Sequence, residues 1–88
     1  MKTAFFDSFT KDLRRIKDVS IRERIEKAIE AVELAKSINQ IPQLKKLKGG
    51  IRYYRIRVGD YRLGVEIAGD VVSFKRCLHR SVIYTLYP

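Results

Sequence analysis

The chain has 88 residues, with 19 Lys and Arg against 10 Asp and Glu for a formal net charge of +9. That length allows one domain, residues 1–88, with a thin core and no room for a dinucleotide-binding fold. One cysteine, Cys77, and one histidine, His79, exclude an internal disulfide framework and leave too few ligands for a structural zinc site.

No run approaches the roughly 18 apolar residues that span a bilayer. Asp7 interrupts the apolar start MKTAFFDSF before it reaches the length of a secretory signal. The expected location is the cytoplasm, with no membrane association. The charge is unevenly placed: residues 1–40 hold nine basic and seven acidic side chains, residues 41–88 ten and three. A basic half on a small domain points to a polyanionic partner, either nucleic acid or an acidic protein segment. A generically basic surface is the plain alternative.

In chain order, Thr3–Phe6 is short and apolar and reads as an edge strand. Asp7 and Ser8 follow as candidate helix caps, and Phe9, Leu13 and Ile16 recur at helical spacing. Asp18 and Ser20 mark a break. Ser20 and Glu23 form an S-x-x-E capping-box pattern, and Ile21, Ile25, Ala28, Ile29, Val32 and Ala35 hold one stripe. The expected long helix is Ser20–Lys36, with Glu23 and Lys27 paired on its exposed side. Pro42 and Asn39 stop it, and Ser37–Leu47 reads as a basic, flexible junction in which Lys45, Lys46 and Lys48 lead into Gly49-Gly50.

The back half changes period. Arg52–Val58 alternates, with Tyr54, Ile56 and Val58 on one face and Tyr53, Arg55 and Arg57 on the other. Gly59-Asp60 is a two-residue hairpin signal. Tyr61, Leu63, Val65 and Ile67 then alternate against Arg62, Gly64 and Glu66. Ala68-Gly69-Asp70 turns the chain into Val71–Leu78, where the adjacent Lys75 and Arg76 break the alternation and suggest a bulge. The expected fold is α+β: two N-terminal helices packed on one face of a small twisted antiparallel sheet.

The opposite face then displays Arg55, Arg57 and Arg62 to solvent. Three guanidiniums on one face, with Glu66 as the one nearby acid, repel each other unless an anion lies between them, and each can grip a phosphate through paired N–H bonds. Tyr53 stands beside them, suited to stack on an unpaired base, and Arg80 and Tyr84 follow the last strand. Charged side chains on such a face also serve to block edge pairing; alignment of three on adjacent strands goes beyond that need. His79 suits a general acid or base near neutral pH, or a hydrogen bond to a backbone carbonyl. Cys77 reads as a small buried residue, Tyr54 and Tyr61 as core, and Tyr84 and Tyr87 as anchors of the tail. No Gly-rich phosphate loop, carboxylate pair or Ser-His-Asp arrangement is visible. With only Asp60, Glu66 and Asp70 as acids in the back half, the expected phosphate chemistry uses no metal and no cofactor.

YRIRVGDYRLGVEI (Tyr54–Ile67) and KRCLHRSVIY (Lys75–Tyr84), with SFTKDLRRI and LKKLKGG in front, resemble the RelE/ParE superfamily of type II toxin–antitoxin toxins over nearly the whole chain. The resemblance implies a RelE-like fold and ribosome-dependent mRNA cleavage without metal. In that reaction the ribose 2′-hydroxyl attacks the adjacent phosphate and leaves a 2′,3′-cyclic end. It also implies the catalytic set. Arg55 and Arg57 stand where RelE-type members carry two lysines, Arg62 matches the arginine of the GDYR motif, Arg80 the later arginine, and Tyr84 the tyrosine. His79 joins these as a candidate proton carrier, with Tyr84 or hydroxide as the alternatives, because arginine does not act as a base. Lys45, Lys46, Lys48, Arg52 and Tyr53 are expected to bind RNA. The spacing from Arg80 to Tyr84 is shorter than in RelE-type members. The alternative within the resemblance is a ParE-like toxin that inhibits DNA gyrase without cutting RNA. Either way the implied partner is a cognate acidic antitoxin, in a toxin–antitoxin hetero-oligomer, with ribosome and mRNA as further partners of the nuclease.

Overall fold

A computed structural model describes all 88 residues. In chain order the elements are β1 (Lys2–Phe5), α1 (Asp7–Arg15), α2 (Val19–Leu34), a 3-10 turn (Ile38–Gln40), β2 (Leu44–Lys46), β3 (Tyr53–Val58), β4 (Tyr61–Ala68), β5 (Val71–His79) and the short α3 (Ile83–Leu86).

The strands form one sheet in the order β1-β5-β4-β3-β2. The α+β arrangement with both N-terminal helices on one sheet face is as expected. The sheet differs from the all-antiparallel expectation at one edge, where β1 lies parallel to β5. Two helices separate β1 from the rest of the sheet, so the chain returns beside β5 in the same direction. The junction expected over Ser37–Leu47 is also more ordered: Leu44–Lys46 pairs antiparallel with Tyr54–Ile56 as β2. A three-residue edge strand of Leu-Lys-Lys carries too little alternation to read from sequence.

The helix caps differ from expectation in an instructive way. Asp18, not Ser20, caps α2, with its carboxylate accepting the Ile21 N–H at 3.3 Å. Neither Asp7 nor Ser8 caps α1, which begins after an extended Phe6. Ser8 instead donates to the Lys75 carbonyl, and one turn later Asp12 accepts from the Cys77 N–H at 3.0 Å. These two backbone groups lie on β5 beyond Phe74, where β1 pairing ends. Residues at i and i+4 on α1 thus close the sheet edge that β1 leaves open. Asp12 is buried and also takes both Nε and Nη2 of Arg76, at 2.7 and 3.2 Å. That pairing holds the Arg76 guanidinium's pKa above its ordinary value, chiefly by hydrogen bonding to Asp12 and against the opposing effect of burial.

The main core lies between the helices and the sheet, from Phe9, Ile25 and Val32 to Ile56, Leu63, Val65, Val72 and Phe74. Ile83 and Tyr87 are buried outside this cluster. The Tyr87 ring lies on Gly64, where an added Cβ would stand 2.8 Å from the ring, and its hydroxyl donates to the Val65 carbonyl. Gly64 alternates with the inward Leu63 and Val65, so α3 and the tail cover part of the face opposite the helices. That face is therefore not fully open: Arg57 is exposed, while Arg55 and Arg62 are half-buried.

Candidate functional site

The β3–β4 register builds the site. Arg55 pairs with Gly64, and Arg57 with Arg62; Lys45 of β2 pairs with Arg55 on the other side. The period of two therefore brings Lys45, Arg55, Arg57 and Arg62 to one face. Their guanidiniums are differently committed. Arg55 donates through Nη1 to the Gln43 carbonyl at 2.7 Å, and its Nε is buried without a partner. Arg62 donates through Nη1 to the Gly59 and Tyr61 carbonyls at 2.8 and 2.9 Å. Only Arg57 of the three has its charged head exposed with neither an ion pair nor a hydrogen bond.

The hairpin tip gathers more charge. Gly59 has φ +57°, the left-handed conformation that a two-residue turn needs. An added Cβ there would meet Arg24 Nη1 at 2.9 Å and Ile21 at 3.2 Å, so α2 lies directly over the turn. Arg80 donates its backbone N–H to the Asp60 carbonyl at 2.7 Å, and its Nε stands 3.8 Å from the Asp60 carboxylate. Arg24, Arg57, Arg62 and Arg80 thus surround one turn with Asp60 as their acid. Arg24 was not expected from sequence. Its position on the polar side of α2 carries no local signal that the helix passes over Gly59.

At the other end of the same face, Lys45, Lys46, Leu47, Lys48, Tyr84, Tyr87 and Pro88 line a cleft of about 370 Å³. Tyr84 is exposed there, so the expected lysines and Tyr84 come together. Tyr53 does not present a free ring: it is half-buried and meets Tyr87 edge-on at 6.1 Å. Burial pushes the Tyr87 phenol's pKa well above its ordinary value, with smaller contributions from Glu66 and Tyr53. Arg52 and Lys75 share Glu66, each at 3.3 Å, so Arg52 is a partly neutralised contributor.

His79 lies elsewhere. It pairs with Tyr61 in the sheet, and the two rings meet edge-on at 5.6 Å. Tyr61 packs against the main core, so His79 is on the helix side, where it lines a small cavity with Asp12, Arg15, Ile16 and Tyr61. Its Nδ1 accepts the Ser81 N–H at 3.1 Å, which places the ring proton of the neutral form on Nε2. The structure does not bring His79 to the arginines. Cys77 is buried, and burial followed by the nearby Asp12 charge pushes its thiol up to about 12, which suits packing rather than nucleophilic chemistry. No helix is long and apolar enough to cross a membrane.

Comparison with known proteins fits this geometry. A family model described as "ParE toxin of type II toxin-antitoxin system, parDE" matches residues 4–84. The chain is 45% identical to Toxin RelE3 of Methanocaldococcus jannaschii over 89 aligned residues, covering the whole of both. It is 43% identical to a chain of the RelB–RelE antitoxin–toxin complex of Methanococcus jannaschii, with a TM-score of 0.79, covering 97% of this chain and 99% of that one. The archaeal RelE–RelB complex of Pyrococcus horikoshii shares the fold at 19% identity, with a TM-score of 0.73, covering 93% of this chain and 97% of that one.

Proposed function

The chain belongs to the ParE toxin family of type II toxin–antitoxin systems, and from that premise we propose that it is the RNA-cleaving kind, a ribosome-dependent mRNA endonuclease. One observation carries this reading. Arg57 and Arg62, paired at the β3–β4 turn, share a sheet face with a cleft formed by Lys45, Lys46, Lys48 and Tyr84. Phosphate and base recognition are thus built on one surface.

In the proposed reaction the ribose 2′-oxygen attacks the adjacent phosphorus and the bond to the 5′-oxygen breaks. The 2′-hydroxyl gives up its proton and the leaving oxygen takes one. Charge on the phosphoryl oxygens rises in between, and fixed cations that need not reorganise stabilise it. Arg57 is free to take those oxygens. Arg62 is held in orientation by two turn carbonyls, and the exposed Arg80 lies near Asp60. Arginine does not serve as the base, and His79 faces Tyr61. Tyr84 lies at the other end of the face from Arg57, so proton removal falls to hydroxide. Bases stack on Tyr84 while the three lysines hold flanking phosphates, and the ribosome fixes the path of the strand. The inhibitory partner is a cognate antitoxin, as a similar chain has in the RelB–RelE complex, and the net charge of +9 suits an acidic one.

The test is cleavage of a defined mRNA in a purified translation system, with the ends mapped. Ribosome-dependent cuts ending in cyclic phosphate are expected. Arg57→Ala is expected to slow cutting by about 100-fold, the usual cost of one donor to a developing oxyanion. The Arg57 side chain makes no internal hydrogen bond or ion pair and the backbone bonds survive the change, so thermal stability should be unchanged. Arg62→Ala is a less clean variant, since it also releases the turn. A second reading, a gyrase-inhibiting toxin, draws on the family model's ParE description and on the commitment of Arg55 and Arg62 to backbone carbonyls. A folded protein that arrests growth without cutting RNA, and that inhibits purified gyrase, would establish that reading instead.

A further inference from the structure

We infer that Arg24, Gln43 and Arg57 form a cradle for one phosphate group of single-stranded RNA, so that α2 takes part in substrate binding. The inference rests on RNA being the ligand, as proposed above, and extends the site to a helix that neither sequence nor comparison assigns to it.

Three observations meet at this place. First, Arg24, Gln43, Arg57 and Gly59 line a cavity of about 260 Å³ that has no apolar residue in its wall. It shares Arg24, Gln43 and Arg57 with a neighbouring groove of about 310 Å³, where Lys27 adds a further cation. Second, neither the Arg24 nor the Arg57 side chain has an internal hydrogen bond or ion pair, although the chain satisfies Arg52, Arg76 and Arg80 with carboxylates. Two unpaired guanidiniums beside one polar cavity repel until an anion enters, and phosphate suits their planar, forked donors.

Third, Gln43 is the one residue other than glycine with a positive φ, at +60°. Glutamine enters that region at a cost, and such strain concentrates where function fixes the backbone. The Gln43 carbonyl accepts from Arg55 Nη1 at 2.7 Å and from the Arg57 N–H at 3.2 Å, while the residue lines the cavity and its side-chain amide has no internal partner. The amide is therefore free to donate to an anion. Gly59 contributes by omission, because its missing Cβ leaves room for the Arg24 guanidinium.

An acidic peptide is the other polyanion that could enter. The smaller cavity has no apolar side chain in its wall, which favours a compact anion there; the adjoining groove, with Ala28, Pro42, Ile56 and Val58, is the part that could bury a peptide's apolar side chains.

The experiment measures binding of a fluorescein-labelled single-stranded RNA decamer to the full chain, by anisotropy across a salt series. Arg24→Gln is expected to weaken binding about tenfold. It should also reduce the steepness of log K against log salt by about 0.7, the loss of one phosphate contact on a single strand. Arg24→Lys should keep most of the slope. Gln43→Gly removes the amide but keeps the carbonyl and relieves the positive φ. It should weaken binding about threefold while the melting temperature holds or rises, which a merely structural role would not give. Unchanged affinity and slope in Arg24→Gln would overturn the inference. So would failure of the wild-type chain to bind the decamer at 50 mM salt. Dependence on Arg24 of a polyglutamate peptide's binding, but not of the RNA's, would assign the cavity to an acidic protein partner instead. Cleavage enters none of these readouts. Binding that depends on Arg24 without cutting leaves the cradle standing and removes the nuclease; cutting that ignores Arg24 does the reverse.

Discussion

Single residues in this chain are held by neighbours that sequence spacing alone does not name. Cys77 shows the energetic consequence. Its thiol is buried beside Asp12, and both effects favour the neutral form, moving its pKa from the ordinary 9.0 to about 12. In the unfolded chain the thiol loses its proton near its ordinary pKa, while the folded protein retains it. Between those two values the folded state binds more protons, so stability falls as pH rises and levels off near 12. The loss reaches at most about 4 kcal/mol by the linkage relation. Tyr87 acts with the same sign, beginning above its ordinary pKa, because burial also raises it. Urea unfolding followed from pH 7 to 11 should show stability flat to about pH 8.5 and declining beyond it. Cys77→Ala should remove the earlier part of the decline, and an unchanged profile in that variant would show that the thiol contributes nothing. The same alternation that exposes Arg57 says nothing of where its neighbours' guanidiniums go. The period of two placed Arg55, Arg57 and Arg62 on one face. It could not say that Arg55 would be spent on the Gln43 carbonyl and Arg62 on its own turn, because those acceptors depend on the conformations of Gln43 and Gly59.

At the scale of elements, the bulge in β5 decides what reaches the site. Gly64 pairs with Arg76 and Val65 with Phe74, so Lys75 is the extra residue. One inserted residue reverses the facing of everything after it. An unbroken strand with Phe74 inward would turn His79 toward the arginines; the bulge turns it to Tyr61. The adjacent Lys75 and Arg76 made the irregularity legible in sequence, but its outcome for His79 needed the register. Long periodic elements, α2 and the β3–β4 hairpin, were legible because each repeats its pattern over several residues. The three-residue β2 and the four-residue α3 were not. Yet α3 matters, since its return lays Tyr87 on Gly64. Gly64→Ala would bring a methyl to 2.8 Å from that ring, and either the tail or β4 must shift. The expected cost is about 1–3 kcal/mol, as for other overpacked sites, read from the urea midpoint. Tyr84 shares the displaced segment, so RNA cleavage should fall with it. A variant as stable as the parent would mean that the tail does not rest on the sheet in solution.

For the molecule as a whole, charge is distributed as the proposed partners require. Residues 41–88 carry most of the positive excess. The fold turns that excess into one surface, from the arginines around Gly59-Asp60 to the lysines beside Tyr84. Such a surface attracts any polyanion before contact, so under the proposed function an antitoxin that blocks it must compete with RNA for the same field. An acidic antitoxin achieves this through encounter rate as well as final contacts, because long-range attraction raises association rates and is screened by salt. Exposed pairs weaken beyond a Debye length of about 8 Å at physiological ionic strength, whereas contacts buried in the complex are screened far less. The two effects separate in kinetics. Stopped-flow association of the chain with the proposed acidic antitoxin should slow by about tenfold or more between 20 and 500 mM salt, while the dissociation rate changes little. Arg57→Ala should lower the rate at low salt and converge on the wild-type rate at high salt. If association were instead indifferent to salt, the basic face would lie outside the approach of the antitoxin, and inhibition would act through the helix side of the fold.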